Sequence, residues 1–347
     1  MLHSHPTRSR RGRQNIIKIG IVVLTTSLLL AACSSSPTNT AKKKAGPTAA
    51  DKNITITIGT FPDPRPMGIV KEEGWLTKEG YNVVWDNFLN GVPGELAAME
   101  GGSIEVAQLD TSGAMPLFVK DPTLSWYVAN ETSNVAAVVA RKGSGIHSVS
   151  QLRGKTIGTT GITTAPQVVL DLALADAHIH VSSNSYPQVT GPDEVIAMDK
   201  GSVQAVATYV PFSAQMITNG TGRLLTTANK VYKNPWIAGG IVVTRAFGSA
   251  HPHAVEAILS AVMRAEALMK SNPKLADSLL AKYSGSPASD IAYSYSHDLV
   301  ALTPLVPNAK PLIVEANDEA KYGVFKGDAQ TFLKSWVNTK FAQAVTK

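Results

Sequence analysis

Thr156-Ile157-Gly158-Thr159-Thr160-Gly161-Ile162-Thr163-Thr164-Ala165-Pro166-Gln167-Val168-Val169-Leu170 carries the reading of the fold in one stretch. Thr156 to Thr159 is a short, β-branched run that reads as a strand. A Gly- and Thr-bearing loop follows, and then a helical pattern from about Ala165 to Ala177. Thr163 or Thr164 stands at its N-cap, Pro166 lies in its first turn, and Val168, Val169, Leu172 and Ala173 share one face. Strand, polar loop and helix in that order is the unit from which open α/β sheets are built.

The pattern repeats outward. Ile54 to Gly59, Val83 to Phe88, Val135 to Ala140, Val203 to Tyr209 and Ile241 to Thr244 are apolar or β-branched runs alternating with helical segments. A helix is expected from Pro252 to Ser271, and from Pro273 to Val345 the chain reads as helical except for a loop at Thr303 to Pro311. The stretch from Asn53 onward, about 295 residues, is long for a single core and implies two lobes. No repeat of 20 to 50 residues is visible.

Five polar loops follow strands: Phe61 to Met67, Asn90 to Gly94, Asp110 to Gly113, Gly161 to Thr164, and Tyr209 to Phe212. In open α/β sheets ligands bind beyond the carboxyl ends of strands, and a helix start with free N–H groups suits an anion. Each loop alone reads as ordinary helix capping. The five together point to a binding cleft.

The first 52 residues read differently. Arg8, Arg10, Arg11, Arg13 and Lys18 precede an apolar run from Ile19 to Ala32, which is shorter than the roughly 20 residues a spanning helix needs. Residues 1–32 are therefore expected to be a signal peptide. Leu30-Ala31-Ala32-Cys33 resembles the lipobox of bacterial lipoproteins, and this resemblance implies lipidation of Cys33 with more than one acyl chain (palmitate-type), a firm anchor where one chain is marginal. Residues 33–52, rich in Ser, Thr, Ala and Lys, then form a flexible tether. The expected place is the extracytoplasmic side of the cell membrane.

Cys33 is the only cysteine, so an intramolecular disulfide is impossible. The net charge of +6 belongs to the N-terminal tail: residues 1–52 hold nine Lys/Arg and one acid, which leaves the remainder at −2. No basic field remains for nucleic acid. Gly154-Lys155-Thr156 lacks the glycine five residues upstream that a phosphate loop needs, since Val149 stands there. The pairs His178/His180 and His251/His253 have no companion ligands in sequence, so no metal and no cofactor are expected. No catalytic motif is visible.

From Ile54 to about Val345 the chain resembles the nitrate/sulfonate/taurine class of substrate-binding proteins of ABC importers. The resemblance rests on Ile56-Thr57-Ile58-Gly59, Glu73-Gly74-Trp75-Leu76, Glu79-Gly80-Tyr81-Asn82-Val83-Val84-Trp85, Phe88-Leu89-Asn90-Gly91 and Gly102-Ser103-Ile104-Glu105-Val106-Ala107. It continues through Gly145-Ile146, Leu152-Arg153-Gly154-Lys155-Thr156-Ile157-Gly158, and Val242-Val243-Thr244-Arg245-Ala246-Phe247 before His251-Pro252. Their order and spacing carry it, not any one motif. It implies a two-lobed periplasmic-binding-protein-like (class II) α/β fold, each lobe a sheet flanked by helices. Residues 53–140 plus 238–347 would form lobe I and residues 141–237 lobe II.

Carried over by position, the resemblance implies a pocket drawing on Asp63, Arg65, Asn90, Gly91, Thr111 and Ser112 from the first lobe. The second would supply Thr163, Thr164, Tyr209, Pro211 and Phe212, with Phe61, Tyr209 or Trp236 walling an organic tail. Trp75 and Trp85 would be packing residues. Two departures stand out: Tyr209-Val210-Pro211 replaces the family's common Trp-x-Pro, and Gly239-Gly240 stands where taurine-binding members tend to carry an acid. The resemblance implies a monomer that captures a small anionic organic ligand, does no chemistry on it, and delivers it to an ABC permease and its ATPase. A sensor module, or an enzyme on the same fold, would show the same cleft.

Overall fold

The computed structural model describes residues 53–347 apart from 90, 162, 163, 234 and 235. The signal peptide, the tether and Cys33 lie outside the described residues, as do Asn90 and Thr163. Ten strands build two sheets: β1 (Thr55–Thr60), β2 (Asn82–Asn87), β3 (Val106–Asp110), β4 (Ser125–Ser133), β5 (Ala136–Arg141), β6 (Ile157–Thr159), β7 (Ala205–Tyr209), β8 (Gly222–Thr227), β9 (Gly239–Thr244) and β10 (Ala301–Leu302).

The first sheet has the order β10-β4-β9-β3-β1-β2 and the second the order β6-β7-β5-β8. In the first, β1 pairs parallel with β2 and β3, while β9 runs antiparallel between β3 and β4. Alternation decides which side chains meet which helices. Ile241 and Val243 face one layer with Ile258, Leu259 and Val262 of the helix Pro252–Ser271; Val242, between them, faces the other with Leu312 and Trp336. The second sheet is sandwiched likewise. Leu170 and Leu174 of the helix Ala165–Asp176 cover one face, and Met198 and Met216 cover the other.

The chain passes from the first sheet to the second between β4 and β5, where Asn134 turns with φ 61°, and returns between β8 and β9. The division expected at residue 140 therefore falls at the wrong end of β5. This strand pairs antiparallel with β7 and β8, in the second sheet. An apolar run such as Val135 to Ala140 signals a buried strand but not which sheet receives it. The strand β4 gave no apolar signal, because its second half, Asn130 to Ser133, is polar and yet buried. Elsewhere expectation and structure coincide for the helices Ala165–Asp176 and Pro252–Ser271. The C-terminal region breaks more often than expected, and β10 pairs there with β4.

The strand ends of both sheets and the two crossings share one apolar cluster. Val135, Ala136, Ala165, Val168, Tyr209, Val210, Trp236 and Ala238 are buried together with Leu299 and Val300. The lobes thus meet along the loops that the sequence marks as binding loops.

Candidate functional site

Two segments of the first lobe, the loop after β1 and the end of β3, meet at Arg65. Its Nε lies 2.6 Å from Asp63 Oδ2, and its Nη1 donates to Asp110 Oδ1 at 3.4 Å and to the Leu109 carbonyl at 3.2 Å. All three side chains are buried. Burial opposes charge on Arg65, but Asp63, Asp110 and Glu131 together outweigh it and hold the guanidinium protonated. Burial lifts Asp110 to about 6 against the pull of Arg65, and the Tyr209 hydroxyl reaching from the second lobe steadies the ionised form.

Gly239 explains how an arginine fits. A Cβ there would stand 2.7 Å from Arg65 Cδ and Nη1 and from Thr132 Oγ1. Gly239 thus makes room for the Arg65 side chain beside β9, while Gly240 makes room for the Tyr127 ring. Behind Arg65, Glu131 accepts from the Met67 N–H (3.1 Å) and from Gln108 Nε2 (2.9 Å) and is raised by burial to about 7.

Across the cleft, Tyr209 ends β7 with its ring 5.2 Å from that of Phe61. Its hydroxyl accepts from the Ala165 N–H at 3.3 Å. Thr164 occupies the N-cap of the Ala165–Asp176 helix without capping it through its side chain: its hydroxyl pairs with Thr160 Oγ1 (2.7 Å) and donates to the Gly161 carbonyl (2.8 Å). The free helix start is met instead by Tyr209. Gly91, with φ 66°, brings the first lobe to Thr164, whose Cγ2 is 4.0 Å from where a Cβ on residue 91 would sit.

A family model described as the NMT1-like family matches residues 49–282, more than half of the chain. This chain belongs to the NMT1-like family. Comparison with curated proteins finds no match. Among solved structures, the chain is similar to the alkanesulfonate-binding protein SsuA from Xanthomonas axonopodis pv. citri bound to MOPS. That match has 16% identity and a TM-score of 0.70, covering 83% of this chain and 99% of that one. It is also similar to the periplasmic nitrate-binding protein NrtA from Synechocystis PCC 6803 (14% identity, TM-score 0.70, 84% and 88% covered). A third similar structure is the C27S mutant of DszB in complex with biphenyl-2-sulfinic acid (12% identity, TM-score 0.62, 85% and 99% covered). These likenesses establish the two-lobed periplasmic-binding-protein fold.

The NMT1-like chain sorts its expected site residues into three groups. Asp63, Arg65 and Tyr209 are linked through Asp110 where the lobes meet, Gly91 and Thr164 approach each other across the lobes, and Ser112 lies buried two residues beyond Asp110. Thr111 is engaged elsewhere: its hydroxyl donates toward Glu315, whose carboxyl oxygens lie 2.9 and 3.0 Å away and whose pKa burial raises, and toward the Ile237 carbonyl. Trp236 joins this second cluster, stacked on Tyr232 at 5.7 Å. Phe212 packs into the second lobe with Val195, Met198 and Met216 rather than lining the cleft. Pro211 follows a cis peptide bond and stands at the N-cap of the helix Phe212–Thr218. Trp75 is buried in the core and Trp85 half-buried against it.

Sequence reasoning passed over Glu95. It sits in the first turn of the helix Val92–Glu100, where an acid is the ordinary complement to a helix dipole. In the fold it is only 1% exposed, its Oε1 has no partner among the described residues, and the charges of Arg65, Asp110 and Asp63 all reach it. Ser112 Oγ is likewise buried and unpartnered. Nothing in the local sequence separates such an acid from a solvated one.

Proposed function

We propose that this protein captures a small polar organic solute between its lobes, outside the cytoplasmic membrane, and presents it to the permease and ATPase of an ABC importer without altering it chemically. The observation that carries the reading is the meeting of strand-end loops from both sheets, Phe61 and Asp110 against Tyr209 and Gly91 against Thr164, with buried polar atoms, Glu95 Oε1 and Ser112 Oγ, on the first-lobe side that have no partner among the described residues. Buried polar groups in native proteins are nearly always hydrogen-bonded, so such atoms at a lobe interface suit a bound partner. The named ligands of similar structures, a sulfonate buffer and nitrate, support a small polar solute.

Closure is the mechanism. A ligand bridging Arg65, Asp110 and Ser112 on one side to Thr164 and Tyr209 on the other binds the closed form better than the open one and shifts the equilibrium by that difference. Cys33 anchors the monomer through its lipid, with residues 33–52 as tether. Native mass spectrometry of the protein purified from its host should show one added small-molecule mass that disappears on denaturation. A bare protein mass under all conditions, with unchanged melting across solute pools, argues against capture. Cys33→Ser should abolish partitioning into the detergent phase; unchanged partitioning removes the lipid anchor from the reading.

A further inference from the structure

We infer that the cleft selects a solute carrying a protonated nitrogen group, received by Glu95 with Asp110 and Ser112, and that a bare oxyanion is not its ligand. This rests on the solute-capture reading above and deepens it.

The first argument is a balance of charge. Four carboxyl groups, of Asp63, Glu95, Asp110 and Glu131, act on or feel a single guanidinium. Arg65 is also the one buried cation among the described residues. Its Nε faces Asp63, and its Nη1 faces Asp110 and a carbonyl. An incoming sulfonate or nitrate would compete with these carboxylates for the same guanidinium, and any carboxylate it displaced would be left buried and uncompensated, which low-dielectric surroundings penalise heavily. A cation meets the opposite situation, because the surplus is acidic.

The second argument is the state of the unpaired atoms. Glu95 lies one helical turn beyond Gly91, the residue that approaches Thr164 of the other lobe, and its N–H donates to the Gly91 carbonyl at 3.3 Å. Its Oε1 is an acceptor in want of a donor, and Ser112 Oγ stands in the same condition at the start of the helix Thr111–Phe118. An ammonium has three donors and no acceptor, which suits a carboxylate and a hydroxyl. Burial pushes Glu95 well above the usual carboxylate range, and a cation beside it would favour the ionised form.

The third argument limits what the cation is. Among the described residues no three His, Cys, Asp or Glu side chains are grouped as a metal ion requires. The neighbouring Phe61 and Tyr209 rings offer an apolar surface for carbon. An organic ammonium fits both conditions.

The test uses the detergent-solubilised full-length protein after its captured ligand has been removed by reversible denaturation. A bacterial small-molecule extract is separated by ion exchange in acid into cation-retained, anion-retained and unretained pools, and each pool is added during a tryptophan-fluorescence melt. The cation-retained pool should raise Tm. Glu95→Gln should melt within a few degrees of wild type when empty and need about tenfold to hundredfold more of that pool for the same shift. Ser112→Ala is the second variant and should need severalfold more. A rise confined to the anion-retained or unretained pool overturns this inference and leaves solute capture standing. So does a cation-pool response that both variants retain in full. No response to any pool overturns the capture reading itself.

Discussion

The two walls of the cleft are made of different chemistry. The wall from the six-stranded sheet is charged and buried: Asp63, Arg65, Asp110 and Glu131 form a connected group, and Glu95 feels their charges. The wall from the four-stranded sheet presents hydroxyls and a ring, from Thr160, Thr164 and Tyr209. The second lobe's buried carboxyl, Glu194, is raised by burial to about 8 and accepts from the Thr208 hydroxyl, so burial favours its neutral form. The contrast teaches a division of labour. Charge must be pre-organised before the ligand arrives, since building it costs desolvation, and it resides on one rigid wall. The other wall supplies neutral groups that can leave and return to water cheaply as the lobes open and close.

The largest effect that would break this comparison is on Arg65. Arg65→Met leaves Asp63 and Asp110 buried without a countercharge and should cost about 3 to 5 kcal/mol of stability at pH 7, measured by urea unfolding. The loss should shrink at pH 5, where Asp110, lifted to about 6 even beside its arginine, becomes protonated. An equal loss at both pH values would mean that packing rather than charge holds the first wall.

Gly239→Ala comes next. The added methyl would meet Arg65 and Thr132 at 2.7 Å, and overpacking of this kind costs about 1 to 3 kcal/mol. Its readout in chemical denaturation should depend on Arg65: in the Arg65→Met background the penalty should fall, because the methyl then meets a flexible apolar chain.

A pH comparison sharpens the contrast further. Glu131, raised to about 7, and Glu194, raised to about 8, both bind their protons more tightly folded than unfolded. Between the unfolded carboxyl pKa and these values the native state holds more protons, so stability falls as pH rises from about 5 to about 8. Glu194→Gln should remove about 3 kcal/mol of that fall and leave the protein at least as stable at pH 8. Glu131→Gln should destabilise at every pH, because an amide N–H₂ would face the donors of Met67 or Gln108 that Glu131 accepts. Melting curves of both variants across this range check the pair.

The smallest expected effect is on the second wall. Tyr209→Phe keeps the ring against Phe61 but removes the hydroxyl between Asp110 and the Ala165 N–H, at about 0.5 to 1.5 kcal/mol by thermal denaturation. A loss as large as that of Arg65→Met would show that the second wall is pre-organised too, and the division of labour would fail.

Much of this was legible in the chain. Periodicity reveals the helices Ala165–Asp176 and Pro252–Ser271 because an amphipathic face is a local property, repeated within one element. The loops at 61–67, 110–113 and 161–164 are legible because Gly, Pro and hydroxyl residues mark turns and helix starts by their own conformational preferences. Family membership is read from the order of such local signals along residues 49–282.

The tertiary structure decided what local preference does not encode. β5 carries the same apolar run whichever sheet receives it, and only pairing with β7 and β8 assigns it. Thr111 and Ser112 are neighbours with nearly the same side chain, yet one bonds to Glu315, 204 residues away, and the other is buried without a partner among the described residues. Glu95 reads as a dipole complement, and the fold seals it among charges it never meets in sequence. The reason is common to all three. Secondary structure answers to residues three or four positions apart, whereas burial, charge balance and hydrogen-bond partnership are set by distance in space, which only the folded chain defines.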